Sequence, residues 1–398
     1  MSSLPQSPDL DLAAARSARS APIRTLHVDI EGGWGGSSRS LFELLRRLDR
    51  NRIEPLVAHR QEGPVRERYA GVGIPTRHVP EIASFAPRPY NSFKIFLGSA
   101  PRLLGLGTAA RRLAALAAEH RAALIHLNYE GLFLLAPRLR RLTGLPLIGH
   151  SRTHVPENVW GRWLVRTLAR ELDYVFFISD QEEARFRRLE PGAPLAGTVL
   201  WNIAPEPLPR RALPEIPEIV YLGSIDWAKG TDRLVELAAA LERRNAPPMI
   251  VVVYGEARQD PSFKAAIERR ITDAGLGARI ALRGHTAHPE AVLAGAFALV
   301  RPSRENDPWG RDVIEAARAG VPALATGDYQ GVVKEGETGY LFDTFDADAM
   351  AARLTVLRED ETLWQRISEA AARRGAERFG GEQQAAWFSD VIAQLAGR

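Results

Sequence analysis

A proline-rich stretch, IAPEPLPRRALPEIP at residues 203–217, carries five prolines and no apolar periodicity. It divides the chain into two halves built on one plan. Proline fixes φ and lacks a backbone N–H, so this segment reads as a semi-rigid linker or hinge. Before it, a strand at Thr25–Ile30 leads through a Gly/Ser loop into a helix with Leu41, Leu44, Leu45 and Leu48 at helical spacing. Further strands are expected at Glu54–Arg60, Ala123–Leu127, Pro146–His150, Tyr174–Ile178 and Gly197–Leu200, with helices at Arg102–His120 and Trp160–Leu172. After the linker the pattern restarts. Strands are expected at Glu218–Leu222, Met249–Tyr254, Arg279–Leu282, Ala298–Val300 and Pro322–Ala325. Helices are expected at Thr231–Leu241, Pro261–Ala274, Arg311–Ala319, Ala347–Leu357, Glu361–Arg378 and Gln383–Leu395. Strands alternating with helices predict the α/β class, with two similar doubly wound halves and a ligand cleft expected between them.

The expected divisions are a disordered tail (1–22), an N-terminal domain (23–203), the hinge (204–217), a C-terminal domain (218–380) and a last helix (381–398) packing back towards the N-terminal domain. A length of 398 residues fits two cores better than one. The net charge is only +4, and Arg and Glu interleave along most segments. Nucleic acid is therefore not an expected partner. The absence of cysteine excludes disulfides, Cys-ligated zinc, iron–sulfur clusters and a thiol nucleophile. The tail lacks the apolar core of a secretory signal, and no run of 18 apolar residues exists, so a cytoplasmic setting is expected.

Three loops carry the candidate chemistry. Gly32-Gly33-Trp34-Gly35-Gly36-Ser37-Ser38 joins the first strand to the first helix. Free N–H groups at a helix start suit an anion, and glycines let the backbone approach it. The loop is neither a dinucleotide GxGxxG in good register nor a Walker loop; a plain strand–helix turn is the alternative, which four glycines around a tryptophan make less attractive. Gly223–Thr231 mirrors it in the second half and places Lys229 just before a helix, an unfavourable site for a cation unless an anion binds there. The third loop, Pro302–Gly310, runs into a helix bearing Glu315, eight positions after Asp307. Such carboxylates either accept hydrogen bonds from sugar hydroxyls or serve as ordinary helix-start acids. His150 and His154 flank the end of an expected strand, where crevices form in open α/β sheets; a hydrogen-bonded structural histidine is the alternative.

Taken in order, these segments resemble the glycosyltransferases of family 4, which implies the GT-B fold of two facing Rossmann-like domains. The resemblance runs over roughly residues 24–395. Gly32–Ser38 resembles the glycine-rich loop, Asp173–Ser179 the strand that ends in a serine, and Val199–Asn202 the approach to the hinge. Gly223–Gly230 resembles the Lys-Gly loop, and Asp307–Glu315 the paired-acid element. Gly320–Ala325 and Gly336–Phe342 resemble the two segments that follow. The resemblance implies transfer of a sugar from a nucleotide-diphosphate sugar, with retention of configuration and no metal or other cofactor. By position it implies that Glu315 holds the ribose hydroxyls, and that Asp307 and the loop with Glu305, Trp309 and Gly310 contact the donor sugar. Lys229 would neutralise the diphosphate, with Gly223 and Ser224 beside it. Gly33, Gly35 and Gly36 would back the phosphate from the other domain. His150 would lie near the reacting centre, and the base near Gly255 and His285.

Departures from the family pattern mark the donor site. Ser224 stands where an arginine is usual, with Arg304 as a candidate substitute. Asp307 is one methylene shorter than the usual glutamate, and Glu305 competes for its role. Gln330 and Gly331 stand where an acid is usual. A nucleotide-sugar epimerase, a phosphorylase with a pyridoxal-bearing lysine, and a non-catalytic bilobal binding protein are the alternative functions. The acceptor is expected to be a polysaccharide, a glycolipid or a small molecule. Ser92–Arg112 mixes apolar and basic residues, and reads as an ordinary amphipathic helix or as a peripheral contact with the inner membrane beside a lipid-linked acceptor.

Overall fold

The structure is a computed structural model. It describes all residues except 1–20, 31–34, 88–91, 193, 258–259, 305–309, 328, 330 and 398, and the side chains of Ser92 and Arg102. The chain forms two compact units. One runs to Ile203 and includes Gly381–Arg398; the other is Ala204–Gly380.

The first unit contains β1 (Ile23–Asp29), α1 (Gly36–Leu45), β2 (Ile53–His59), α2 (Val65–Gly71), β3 (Thr76–His78), α3 (Ser92–Leu103) and α4 (Leu106–His120). It continues through β4 (Leu124–Leu127), α5 (Ala136–Thr143), β5 (Leu147–Ser151), α6 (Val159–Glu171), β6 (Tyr174–Phe177), α7 (Asp180–Leu189) and β7 (Gly197–Val199). The seven strands lie parallel in the order β3-β2-β1-β4-β5-β6-β7. β1 therefore sits where the winding reverses, the place at which open α/β sheets form a crevice at the carboxyl ends of their strands. Alternation along β1 sends Leu26 and Val28 into a core covered by α4, α5 and α6, and Ile23 into a core covered by α1 and α2. Local chemistry starts the helices: Asn158 accepts the Trp160 and Gly161 N–H groups to cap α6, and Ser179 accepts the Glu182 N–H to cap α7.

The second unit contains β8 (Glu218–Leu222), α8 (Arg233–Arg243), β9 (Ile250–Tyr254), α9 (Pro261–Asp273), β10 (Ile280–Gly284), α10 (Pro289–Gly295) and β11 (Ala296–Arg301). It ends with α11 (Arg311–Arg318), β12 (Ala323–Thr326), β13 (Gly339–Phe342), α12 (Ala347–Glu359) and α13 (Glu361–Phe379). Its sheet is parallel in the order β10-β9-β8-β11-β12-β13, so the winding reverses between β8 and β11. The final helix, α14 (Glu382–Leu395), belongs to the first unit, where Phe388, Val391, Ile392 and Leu395 join the core beneath α1 and α2.

Several expectations change. The helix expected at Arg102–His120 is two helices, α3 and α4, separated at Leu104 and Gly105. Edge strands β3 and β13 were not expected; Thr76-Arg-His78 has no apolar residue to signal a strand. The proline-rich segment is bound along the second unit. Arg210 donates to the Leu293 and Ala296 carbonyls at 2.7 and 2.8 Å, and the Arg211 N–H donates to the Ala294 carbonyl at 2.8 Å. Among the described residues no helix is long and apolar enough to cross a membrane.

Candidate active site

In the second unit, the loops expected to carry the chemistry gather at the carboxyl ends of β8 and β11. Gly223 leaves β8 and donates its N–H to the Tyr254 carbonyl at 3.1 Å. Gly255 is buried behind it; a Cβ there would lie 1.9 Å from the Gly223 carbonyl oxygen, so only glycine lets the two loops meet. The Ser224 hydroxyl bonds the Asp226 carboxylate, whose other oxygen accepts the Lys229 N–H at 2.8 Å. Lys229 thus lies in a turn cross-braced by Asp226, and α8 begins only at Arg233, slightly later than expected. Gly230, at φ +71°, comes so close to β11 that a Cβ would meet the Pro302 carbonyl oxygen at 2.0 Å.

Arg304 is not a free substitute for the missing arginine at 224. Its guanidinium grips Asp232 at 2.7 and 2.8 Å and lies 4.8 Å over the exposed Trp227 ring. Burial alone would raise the Asp232 pKa, but the hydrogen bond and the charge of Arg304, with smaller contributions from the backbone and Arg270, together hold the value low. Glu315 is buried on α11, and Arg311, one turn earlier, donates to its carboxylate at 3.0 Å. A second buried pair anchors the start of this helix. Arg301, ending β11, reaches Asp312 at 2.5 Å and donates to the Tyr329 hydroxyl at 2.7 Å. Gly310 caps α11 against this pair, and His285 is exposed in the loop after β10. Gly33, Glu305, Asp307 and Trp309 lie outside the described residues.

In the first unit, Gly35 is the N-cap of α1 and Gly36 its first residue; no acid occupies the first turn and no side chain caps it. Directly beneath lies a buried polar network that sequence reading missed. The Ser38 hydroxyl and the Asn128 amide donate to Asp29 at 2.6 and 3.1 Å. Arg152 donates to Asn128 Oδ1 at 2.7 and 2.9 Å and to Asn202 Oδ1 at 2.9 Å. Glu130 accepts the Arg152 N–H at 2.7 Å and the Thr153 hydroxyl. Burial raises the carboxyl pKa of Asp29, and pushes that of Glu130 from 4.5 up to about 7. The available signal was Asp29, an acid at the end of the first strand beside the glycine loop.

His150, expected near the reacting centre, is buried in the first unit. Its Nδ1 bonds His126 Nε2 at 3.1 Å; His126 Nδ1 bonds His27 Nδ1 at 3.0 Å; and His27 Nε2 bonds the Thr25 hydroxyl at 2.8 Å. Phe388 of α14 packs over all three rings, at 5.3 to 6.4 Å. Burial depresses each imidazole, His27 to about 3 and the others well below their ordinary value, so the chain of rings is neutral near pH 7. His154, by contrast, pairs with the buried Glu182 on α7.

Residues 35–197 match the family model of the glycosyl transferase 4-like domain, and residues 211–374 match that of glycosyl transferases group 1. The chain belongs to the glycosyltransferases of the family 4 type. This glycosyltransferase is similar to the alpha-D-kanosaminyltransferase of Streptomyces kanamyceticus, 29% identical over 46% of this chain and 48% of that one. It is also similar to the lipopolysaccharide core biosynthesis mannosyltransferase LpcC of Rhizobium leguminosarum, 25% identical over 65% of this chain and 74% of that one. The match to the first thus spans about half of that relative's length. The crystal structure of Anabaena Alr3699/HepE in complex with UDP and glucose superposes with a TM-score of 0.74, at 18% identity, covering 93% of this chain and 99% of that one. The two parallel sheets with alternating helices are therefore the paired Rossmann-like domains of a GT-B glycosyltransferase. That assignment does not favour an epimerase, a phosphorylase or a binding protein.

Proposed function

We propose that this protein transfers a glycosyl group from a nucleotide-diphosphate sugar to a carbohydrate, glycolipid or small-molecule acceptor, with retention of anomeric configuration and without a metal ion. The observation that carries the reading is the meeting of the Lys229 turn, the Pro302 loop and the α11 start with its buried Glu315, all at the point where the second sheet reverses its winding. On this reading Glu315, oriented by Arg311, accepts hydrogen bonds from the ribose hydroxyls. As the glycosidic bond to phosphate breaks, negative charge grows on the departing diphosphate. Lys229 and the amino end of α8 stabilise that charge. Asp307 and its loop would hold the donor sugar, and the α1 amino end with Gly33, Gly35 and Gly36 would back the phosphate. The reaction would run in the cytoplasm, in polysaccharide or glycolipid synthesis, at the inner membrane face when the acceptor is lipid-linked.

Thermal denaturation with UDP, GDP, ADP, TDP and CMP tests the donor. A nucleotide at 100 times its dissociation constant adds about 2.7 kcal/mol of stability. One nucleotide should stabilise the protein, and Glu315→Ala should abolish the effect. Lys229→Ala should lower turnover about 100-fold with the fold intact. No response to any nucleotide overturns the donor reading, and an inverted anomeric coupling in the product overturns retention.

A further inference from the structure

The turn that carries Lys229 also holds a tryptophan open to solvent. Trp227 is 63% exposed, and the Arg304 guanidinium lies over its ring, 4.8 Å from the centre. One face is thus covered by a cation and the other left free. A single exposed apolar residue is ordinary, but this one is clamped. Arg304 donates to both Asp232 carboxylate oxygens, at 2.7 and 2.8 Å, and to the Trp227 carbonyl at 2.8 Å. The Arg304 N–H donates to the Ala228 carbonyl at 2.9 Å, and the Gly230 N–H to the Trp227 carbonyl at 3.0 Å. The ring and its backbone are therefore held before any ligand arrives, which removes part of the ordering cost of binding.

The strand order fixes which side of the site the ring belongs to. In β10-β9-β8-β11 the turn after β8 stands between the loops that follow β9 and β11. Gly255 and His285, where the nucleotide base is expected, follow β9 and β10. Arg304 follows β11, so its contact with the Trp227 ring lies on the side away from the base. With the diphosphate at Lys229, the β11 side is the sugar side. A pyranose ring suits an open indole face there. Its axial C–H bonds form an apolar patch with slightly positive hydrogens, which matches the negative face of the aromatic ring.

We propose that the free face of Trp227 stacks on the C–H face of a pyranose ring, either the sugar being transferred or the acceptor sugar that receives it. Trp227 then determines which ring is held; no bond is made or broken on it. A large, rigid aromatic surface with few torsions to freeze is well suited to that task. The proposal deepens the glycosyl-transfer reading and rests on it for the direction in which the donor lies.

The test follows acrylamide quenching of tryptophan emission in the full chain, with Trp227 isolated as the difference between wild type and Trp227→Phe. The ligands are UDP, GDP, ADP and TDP, each alone and as its glucose conjugate, with GDP-mannose and UDP-galactose. Methyl glucoside, galactoside and mannoside are added separately, each with the bare nucleotide that binds. Shielding by a conjugate but not by its bare nucleotide identifies the transferred sugar; shielding only by a glycoside identifies the acceptor. In either case Trp227→Ala should weaken that ligand about tenfold, leave the affinity for bare nucleotide unchanged and keep the melting midpoint. Shielding by bare nucleotide overturns the proposal, making Trp227 a platform for the base. No shielding by any sugar while a nucleotide binds, or an unchanged sugar affinity in Trp227→Ala, also overturns it. Absence of all nucleotide binding overturns the transferase reading instead; shielding by the glycosides alone then supports the stacking, and none overturns it.

Discussion

Glu130 is a carboxyl group whose ionisation folding opposes. In the folded chain its pKa is raised from 4.5 to about 7, chiefly by burial, against the hydrogen bonds from Arg152 and Thr153. The unfolded chain therefore releases this proton first. Between these two values unfolding releases a proton, so stability falls as pH rises through that window and levels off above it. The shift corresponds to about 3 kcal/mol. Glu130→Gln removes the titration while keeping an oxygen acceptor. Denaturation midpoints from pH 4 to 8 should show the wild type losing ground against the variant as pH rises; a constant difference would mean that the carboxyl ionises freely in the fold. Glu130 and its neighbours were hidden in the sequence because the network joins Asp29, Asn128, Arg152 and Asn202, far apart in the chain, and only the strand order brings them together. The burial of His150 follows from the strand that carries it. Side chains alternate across a strand, so His150 shares a face with Ile148, which is core. Its nearness to the strand end did not decide its direction.

At the scale of elements, local chemistry was the most readable. Glycines, prolines and capping residues act within a few positions, and the Gly223–Gly230 and Pro302–Gly310 loops were found from them before any packing was known. The close fit between these loops was not visible. Gly230 holds a left-handed backbone against Pro302, so Gly230→Ala should cost at least about 1–3 kcal/mol and displace Lys229. Urea denaturation should show the loss, and the nucleotide response should weaken with it. An alanine variant of wild-type stability would mean that the two loops do not touch. The break between α3 and α4 was missed because the apolar pattern crosses Leu104 and Gly105 without a clear change. Strand β3 was missed because three polar residues at a sheet edge leave no periodic trace.

For the whole molecule, the alternation of elements predicted the α/β class but not the strand orders, and the second core of the first unit is completed from outside its own half. Residues Ala385–Leu395 complete it, with Phe388 over the histidine rings. Phe388→Ala should cost about 3–5 kcal/mol. Exchange of amide hydrogens, followed strand by strand, should show the loss in β1, β4 and β5 and spare β8, β9 and β11; equal loss in both sheets would mean that α14 supports more than the first unit. This arrangement also fixes an order of events during synthesis. A ribosome delivers β1 through β7 first and α14 after the entire second unit, so the half that emerges earliest finishes last. Until residue 388 leaves the exit tunnel, the nascent first unit carries an uncovered greasy face, a natural target for chaperones, and a gene split at the proline-rich segment would express that face permanently.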